Sequence, residues 1–412
     1  MDWLLDVDDL DLSIKEPDRL LQRFVVSLLY FATGGGITST HGWRECSSVP
    51  DPIQSNETTN EINCFFQGGI FICASPEDFV NCTYTDPLTG NAVSSKRFLS
   101  PVHECDWFGI ACDTNQKVTE IILDDNILNG TVPAELIGLS ELRVISMSDN
   151  RLQGTLPEEW GGLQNLEILR MSNNQLTGCV SNKFYRNNSL QEIDFQMNWL
   201  SGTLSSEIGQ WPDSLRIINL RQNHFTGSIP TEIGLLSGVS ELYLQRNDFN
   251  GTIPTEIGNM ESLQRLFVSE GSVTGRIPSE LGRVSGLASI SLLGNMLSGS
   301  IPTELYGLSR LQVFRMARNA LTGTLSTRIE NWVDMQRLSL HHNALSGRIP
   351  IQIRFLSNLD SLALYYNHLT GRIPSRLCHV ASTIDVDCLS GAVYCTCCTR
   401  CCDNTQRLCE DN

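Results

Sequence analysis

The sequence predicts an α/β solenoid: a curved, right-handed stack of short parallel strands forming a concave sheet, closed at both ends by disulfide-rich caps. Three observations predict it. One pattern, L-x-x-L-x-L-x-x-N-x-L-x-G-x-I-P, returns at a period of 24 over most of the 412 residues. Its apolar positions four and six, such as Leu242 and Leu244, alternate as a half-buried strand does. Of 15 cysteines, six precede the array, eight follow it and only Cys179 lies within it.

The copies begin at Val118, Leu142, Leu166, Leu190, Leu215, Val239, Leu263, Leu287, Leu311, Met335 and Leu359, with one copy of 25 residues between Leu190 and Leu215. A single copy cannot bury its own apolar face, so copies stack and share one continuous core, their strands about 4.8 Å apart. Position nine is asparagine in ten of the eleven copies, Gly271 being the exception. A side chain that both donates and accepts suits a buried turn whose backbone groups need partners. Position thirteen is glycine throughout, which points to a backbone lying close to its neighbour. Position sixteen is proline in eight copies and Ser181, Ser205 or Ser326 in the rest, ending a short second strand.

The unit is a leucine-rich repeat. Its L-x-G-x-I-P half resembles the plant-specific class found in receptor ectodomains, receptor-like proteins and secreted inhibitors of polygalacturonases. The resemblance covers about two thirds of the chain. It implies a non-catalytic recognition module, secreted or part of a receptor-like ectodomain. A protein, a peptide or a cell-wall polysaccharide is the implied ligand, with a co-receptor as a further partner. Inhibition of a secreted hydrolase, or a structural role in the wall or matrix, is the alternative.

In chain order, residues 1–18 form an acidic tail, residues 19–117 a cysteine-containing N-terminal cap with an insertion, residues 118–377 the eleven repeats and residues 378–412 a cysteine-rich C-terminal cap. From Asp18 to Thr33 the apolar residues fall at helical spacing and Gly34–Gly36 stop the helix, so LLQRFVVSLLYFAT reads as a helix packed on the first repeats. The alternative, a buried hydrophobic targeting segment, is disfavoured because Arg23 interrupts its start. LYFATGGG and Gly42-Trp43 resemble the cap of repeat proteins from diatoms and related algae. Cys46, Cys64, Cys73 and Cys82 allow three pairings between which sequence does not choose. CDWFGIAC, Cys105 to Cys112, is similar to the plant cap signature C-x-W-x-G-V-x-C, and that similarity implies a Cys105–Cys112 bridge pinning the exposed edge strand. After Pro374, Cys398 and Cys401 have zinc-knuckle spacing, but eight cysteines closing a solenoid read first as disulfides.

A formal charge of −17 argues against nucleic acid as a partner, because phosphate backbones are held by clustered Lys and Arg. Disulfide caps and five N-x-S/T sequons, at Asn56, Asn81, Asn129, Asn187 and Asn250, point to glycosylation and an extracellular or cell-surface location. Against this, the acidic N-terminus shows no signal peptide, which suggests a gene model missing its start, a piece of a longer chain, or an unseen export signal. The apolar run Phe24–Ala32 is too short to span a bilayer.

No metalloprotease, nucleophile-elbow, P-loop or kinase motif is present, so no cofactor, no metal and no enzymatic activity are expected. The informative residues are those on the concave strands that the core does not use. Glu120, Asp124, Asp125, Asp149 and Glu167 make the first copies acidic. Arg221, Tyr243, Arg246, Arg265 and Phe267 follow in copies five to seven, and Arg315, Arg318, Arg337, His341, His342, Tyr365 and Tyr366 in copies nine to eleven. Aromatics flanked by arginine are what recognition surfaces enrich. A ligand of acidic and apolar or carbohydrate character across copies five to eleven is the expectation.

Overall fold

The computed structural model describes residues 17–33, 72–73, 81–85, 92–96, 103–389, 391–403 and 408–411. The tail before residue 17 and the sequon at Asn56 lie outside them. The chain forms two compact units, Met1–Leu200 and Ser201–Asn412.

The first unit opens with the helix Pro17–Ala32, whose apolar side buries Val25, Val26, Leu29 and Tyr30. It leans on the 3-10 turn Ala134–Gly138, where Gly138 lets Val25 approach. Gln22 ties the helix to the sheet: its Oε1 accepts from Val118 N at 2.8 Å while its Nε2 donates to Glu104 Oε1 at 2.9 Å. Arg23 does not interrupt the helix's packing, because it is wholly buried, 3.6 Å from Glu104 Oε2 and 4.5 Å over the ring of Trp107. A buried guanidinium is tolerated only with such a partner. Strands Ile72–Cys73, Asn81–Thr85 and Ala92–Lys96 form an antiparallel sheet that sets Cys73 opposite Cys82. Ile110–Cys112 then pairs antiparallel with Val118–Ile122, and a disulfide joins Cys105 to Cys112. Val118–Ile122, Val144–Ser146, Ile168–Arg170 and Glu192–Asp194 follow in parallel, one per copy.

The second unit continues the scheme from Ile217–Asn219 to Ser361–Ala363, again one parallel strand per copy. The position-six leucines that must share a core do so: Leu244, Leu292 and Leu340 are at most 1% exposed. The ladder runs on beyond the last full repeat. Thr383–Val386 and Arg400–Asp403 add two more parallel strands, and Leu408–Asp411 closes the edge antiparallel. Bridges Cys378–Cys397, Cys388–Cys401, Cys395–Cys398 and Cys402–Cys409 staple this end, so Cys398 and Cys401 belong to two different disulfides. Cys179 is free and exposed. No helix among the described residues is long and apolar enough to cross a membrane.

Each skeleton letter acquires a geometry. Asn247 is typical of the ladder: its Nδ2 donates to Leu220 O at 2.8 Å in the preceding copy and to Leu244 O at 3.0 Å in its own, and its Oδ1 accepts from Phe225 N at 3.0 Å. The residue before it, position eight, is left-handed in all eleven copies, with φ between 49° and 68° from Asp125 to Tyr366. Position thirteen is left-handed as well. At Gly275 φ is 82°, and a Cβ would sit 2.8 Å from Thr252 Cγ2, so glycine answers two demands at once. Proline at position sixteen ends a strand and also heads a one-turn 3-10 helix as its N-cap. Where serine replaces it, the hydroxyl supplies the cap: Ser181 accepts from Lys183 N, Ser205 from Glu207 N and Ser326 from Arg328 N.

Candidate ligand-binding face

Positions two, three, five, seven and eight of each copy are the strand positions that the core does not use. In the first unit their acidic character is partly absorbed by the fold. Asp124 accepts from Ser146 Oγ at 2.8 Å and Ser148 N at 2.6 Å, and burial pushes its carboxyl above the usual range. Glu167 is paired with Arg143 and Glu192 with Arg170.

The two arginine-aromatic groups foreseen in the second unit differ in a way the sequence does not reveal. In the earlier group the charges are matched. Arg265 reaches Glu241 Oε1 at 2.8 Å, Arg246 reaches Glu270 Oε2 at 2.7 Å, and Tyr243 donates its hydroxyl to Glu241 Oε2 at 2.6 Å. Tyr243 and Phe267 meet edge to face, 5.2 Å apart. Arg221 is half-buried beside them in sequence order but forms no ion pair among the described residues. Each of those carboxylates sits at position three or eight of a neighbouring copy, the signal that a reading confined to arginines and aromatics passes over.

In copies nine to eleven the charges are unmatched. Among the described residues Arg315, Arg318 and Arg337 have no carboxylate within 4 Å, and Arg318 and Arg337 are exposed. The strand register sets Arg315 beside Ser339, and Arg337 between Val313 and Ser361. Small side chains at Ser339, Ser361 and Ala363 therefore leave room around the guanidinium groups. Next to them stands an aromatic shelf. His341 and Tyr365 stack 4.5 Å apart at 8° from parallel, His342 lies 4.5 Å from Tyr366, and the two tyrosines meet at 5.2 Å. Ser339 Oγ and His341 Nδ1 share a hydrogen bond of 3.0 Å. Burial, with His342 and Arg318 adding to it, pushes the His341 pKa down to about 4. Its imidazole is thus an uncharged, flat surface at any pH above about 5. Burial and the nearby Asp385 carboxylate raise the Tyr365 hydroxyl, which stays protonated.

Family models for the leucine-rich repeat match residues 116–176, 214–236 and 238–260. The chain is a leucine-rich repeat protein of the plant type. Among solved structures, this repeat protein is similar to the plant peptide hormone receptor RGFR1 in complex with RGF2, at 30% identity and a TM-score of 0.64 over 68% of this chain and 45% of that one. It is similar in the same degree, 30% identity and a TM-score of 0.64, to the ectodomain of the Arabidopsis receptor kinase HAESA in complex with an extended IDA peptide hormone, over 70% of this chain and 48% of that one. A plant ice-binding protein aligns at 26% identity with a TM-score of 0.52, over 67% of this chain and 81% of that one. The repeat protein thus spans about half the length of the two receptor ectodomains. A comparison with curated proteins gives no match.

The sequons differ in exposure. Asn187 is buried, its amide donating to Leu163 O and its Oδ1 accepting from Ser189 N, so the folded chain offers no free amide there. Asn129 and Asn250 are exposed at position twelve, on the second set of strands, and Asn81 lies in a strand of the N-terminal insertion.

Proposed function

We propose that the protein is an extracellular recognition module, not a catalyst. It takes an extended peptide, or a protein segment, carrying acidic and apolar side chains on the face formed by Arg315, Arg318, Arg337, His341, Tyr365 and Tyr366. The observation that carries this reading is the contrast between the two arginine groups. Arg246 and Arg265 are neutralised within the sheet, whereas the later three, beside an aromatic shelf, have no carboxylate within 4 Å among the described residues. Such a surface gives contact area at low entropic cost and an unmet demand for negative charge. Similarity to two plant ectodomains solved with peptide hormones supports a peptide over a glycan. The disulfide caps and the exposed sequons at Asn129 and Asn250 support the extracellular setting.

The test is an array of synthetic acidic peptides containing tyrosine and leucine, with poly-L-glutamate as a charge-only probe and oligogalacturonides as a glycan arm, read with the purified full chain. Retention of peptides that an Arg315→Ala/Arg337→Ala variant loses, while unfolding at the same temperature, supports the proposal. Binding of oligogalacturonides alone would turn the ligand into a cell-wall polysaccharide. Retention unaltered by the variant would remove this face from consideration.

A further inference from the structure

In each complete turn of the second unit the left-handed residue donates its N–H to the next copy, and after Gln222, Glu270, Arg318 and His342 the residue that follows does so too. Arg318 N donates to His341 O at 2.9 Å and Asn319 N to His342 O at 3.1 Å; His342 N donates to Tyr365 O at 3.0 Å and Asn343 N to Tyr366 O at 3.1 Å. The last copy has no full successor to offer those two carbonyls. A single side chain takes their place: Asp387 Oδ1 accepts from Tyr366 N at 2.8 Å and Asp387 Oδ2 from Asn367 N at 3.0 Å. Asp387 is only 2% exposed. Its position, seven of an incomplete twelfth copy, is one of the two whose backbone carbonyls do this work elsewhere.

We propose that Asp387 is a positioning residue for the ligand face, its carboxylate standing in for two absent backbone carbonyls and thereby holding the turn that aims Tyr365 and Tyr366. The proposal rests on the reading of that shelf as the binding surface. The geometry explains why a buried acid is retained: two converging N–H groups need two acceptor oxygens on one rigid base, and only a carboxylate supplies both. The amide of asparagine would offer one oxygen and set an NH2 against the other donor. Tyr366, whose backbone N–H Asp387 holds, has a second contact through its side chain, the hydroxyl lying 3.5 Å from Sγ of Cys409 in the Cys402–Cys409 bridge. Around the carboxylate, Asp403 on the neighbouring strand favours its protonation and His368 opposes it, while burial is the largest influence and raises its pKa. Protonation removes one acceptor, so the turn loosens as pH falls through that raised value.

Amide hydrogen exchange on the full chain tests this without a ligand. With rates corrected for intrinsic exchange, Asp387→Asn lowers protection at Tyr366 and Asn367 about tenfold, while Arg318 and Asn319, two copies away, keep theirs. In the wild type the same two amides lose protection on acidification, and the variant lacks that step. Equal protection in wild type and variant at neutral pH, or an equal loss at Arg318 and Asn319, overturns the proposal. Should the variant not fold, the wild-type acidification series decides alone, a flat profile counting against. Poly-L-glutamate retention, measured in parallel, reports separately on the binding face: no retention by the wild type speaks against that face and leaves the exchange result on Asp387 intact.

Discussion

The imidazole of His341 lies flat against the ring of Tyr365 from the next copy, 4.5 Å away and 8° from parallel. The pair spans two strands of a parallel sheet, where residues at one position recur at the strand spacing, so its separation is imposed by the fold. What the pair adds is chemistry, a neutral two-ring plate next to three cations.

Its neutrality makes the first prediction. The folded pKa of His341 lies near 4, below the 6.5 of a free imidazole, so between these values the unfolded chain binds more protons. Stability contributed by this group is therefore present above pH about 6.5 and is lost as pH falls toward 4. Because the ring is partly exposed, the loss is on the order of 1 kcal/mol. His341→Phe flattens that part of the pH profile in chemical unfolding; an unchanged slope refutes the assignment.

Binding and stability should separate along the sheet. Ala substitution of Arg315 or Arg337 weakens an acidic peptide about tenfold each, with unfolding shifted by less than about 0.5 kcal/mol. Arg246→Ala, whose guanidinium already belongs to Glu270, leaves peptide affinity within twofold of wild type. Titration calorimetry on the three variants checks the ranking.

The asparagine ladder offers a prediction in both directions. Asn247→Ala strips a buried site of donors and an acceptor and costs about 2–3 kcal/mol. Copy seven lacks the rung, and its Gly271 does not have a positive φ, so asparagine fits the backbone there. A Cβ would meet Asn295 Oδ1 at 3.2 Å, a contact that a small shift relieves. Gly271→Asn accordingly stabilises by about 1 kcal/mol, read from the urea midpoint.

At the other end of the array, Arg23→Met strands the Glu104 carboxylate in a dry setting and destabilises by roughly 3–5 kcal/mol. The double change Arg23→Met/Glu104→Gln recovers much of the loss. Independent, additive effects in that cycle would mean the two charges do not act as a pair.

After secretory expression, intact-mass and peptide mapping should find glycans at Asn250 and Asn129 and none at Asn187. Occupancy at Asn187 would mean the side-chain hydrogen bond to Leu163 O does not form in the mature protein.

The repeat frame was legible because each apolar letter recurs at one period and one copy cannot bury it alone. The termination of the ladder was not: Ile384 and Val386 keep the two-residue alternation after the periodic signal fades, and Asp387 carries no motif of its own. Nor were the matched arginines, since whether Glu241 reaches Arg265 depends on strand register, a relation between copies that composition within one copy does not state. Serine at position sixteen reads from the repeat only as a replacement for proline; that its hydroxyl caps the following turn is visible only in the structure.

The left-handed residue ahead of each ladder position has one further consequence. Nine kinds of side chain, among them Asp125, Met197, Arg246, Gly294 and Tyr366, occupy the same backbone conformation across eleven copies. Its shape comes from backbone hydrogen bonds to adjoining turns, so identity at that spot is free to vary. A row of interchangeable sockets on an invariant rack lets such a molecule acquire new tastes by single substitutions, without relearning how to fold.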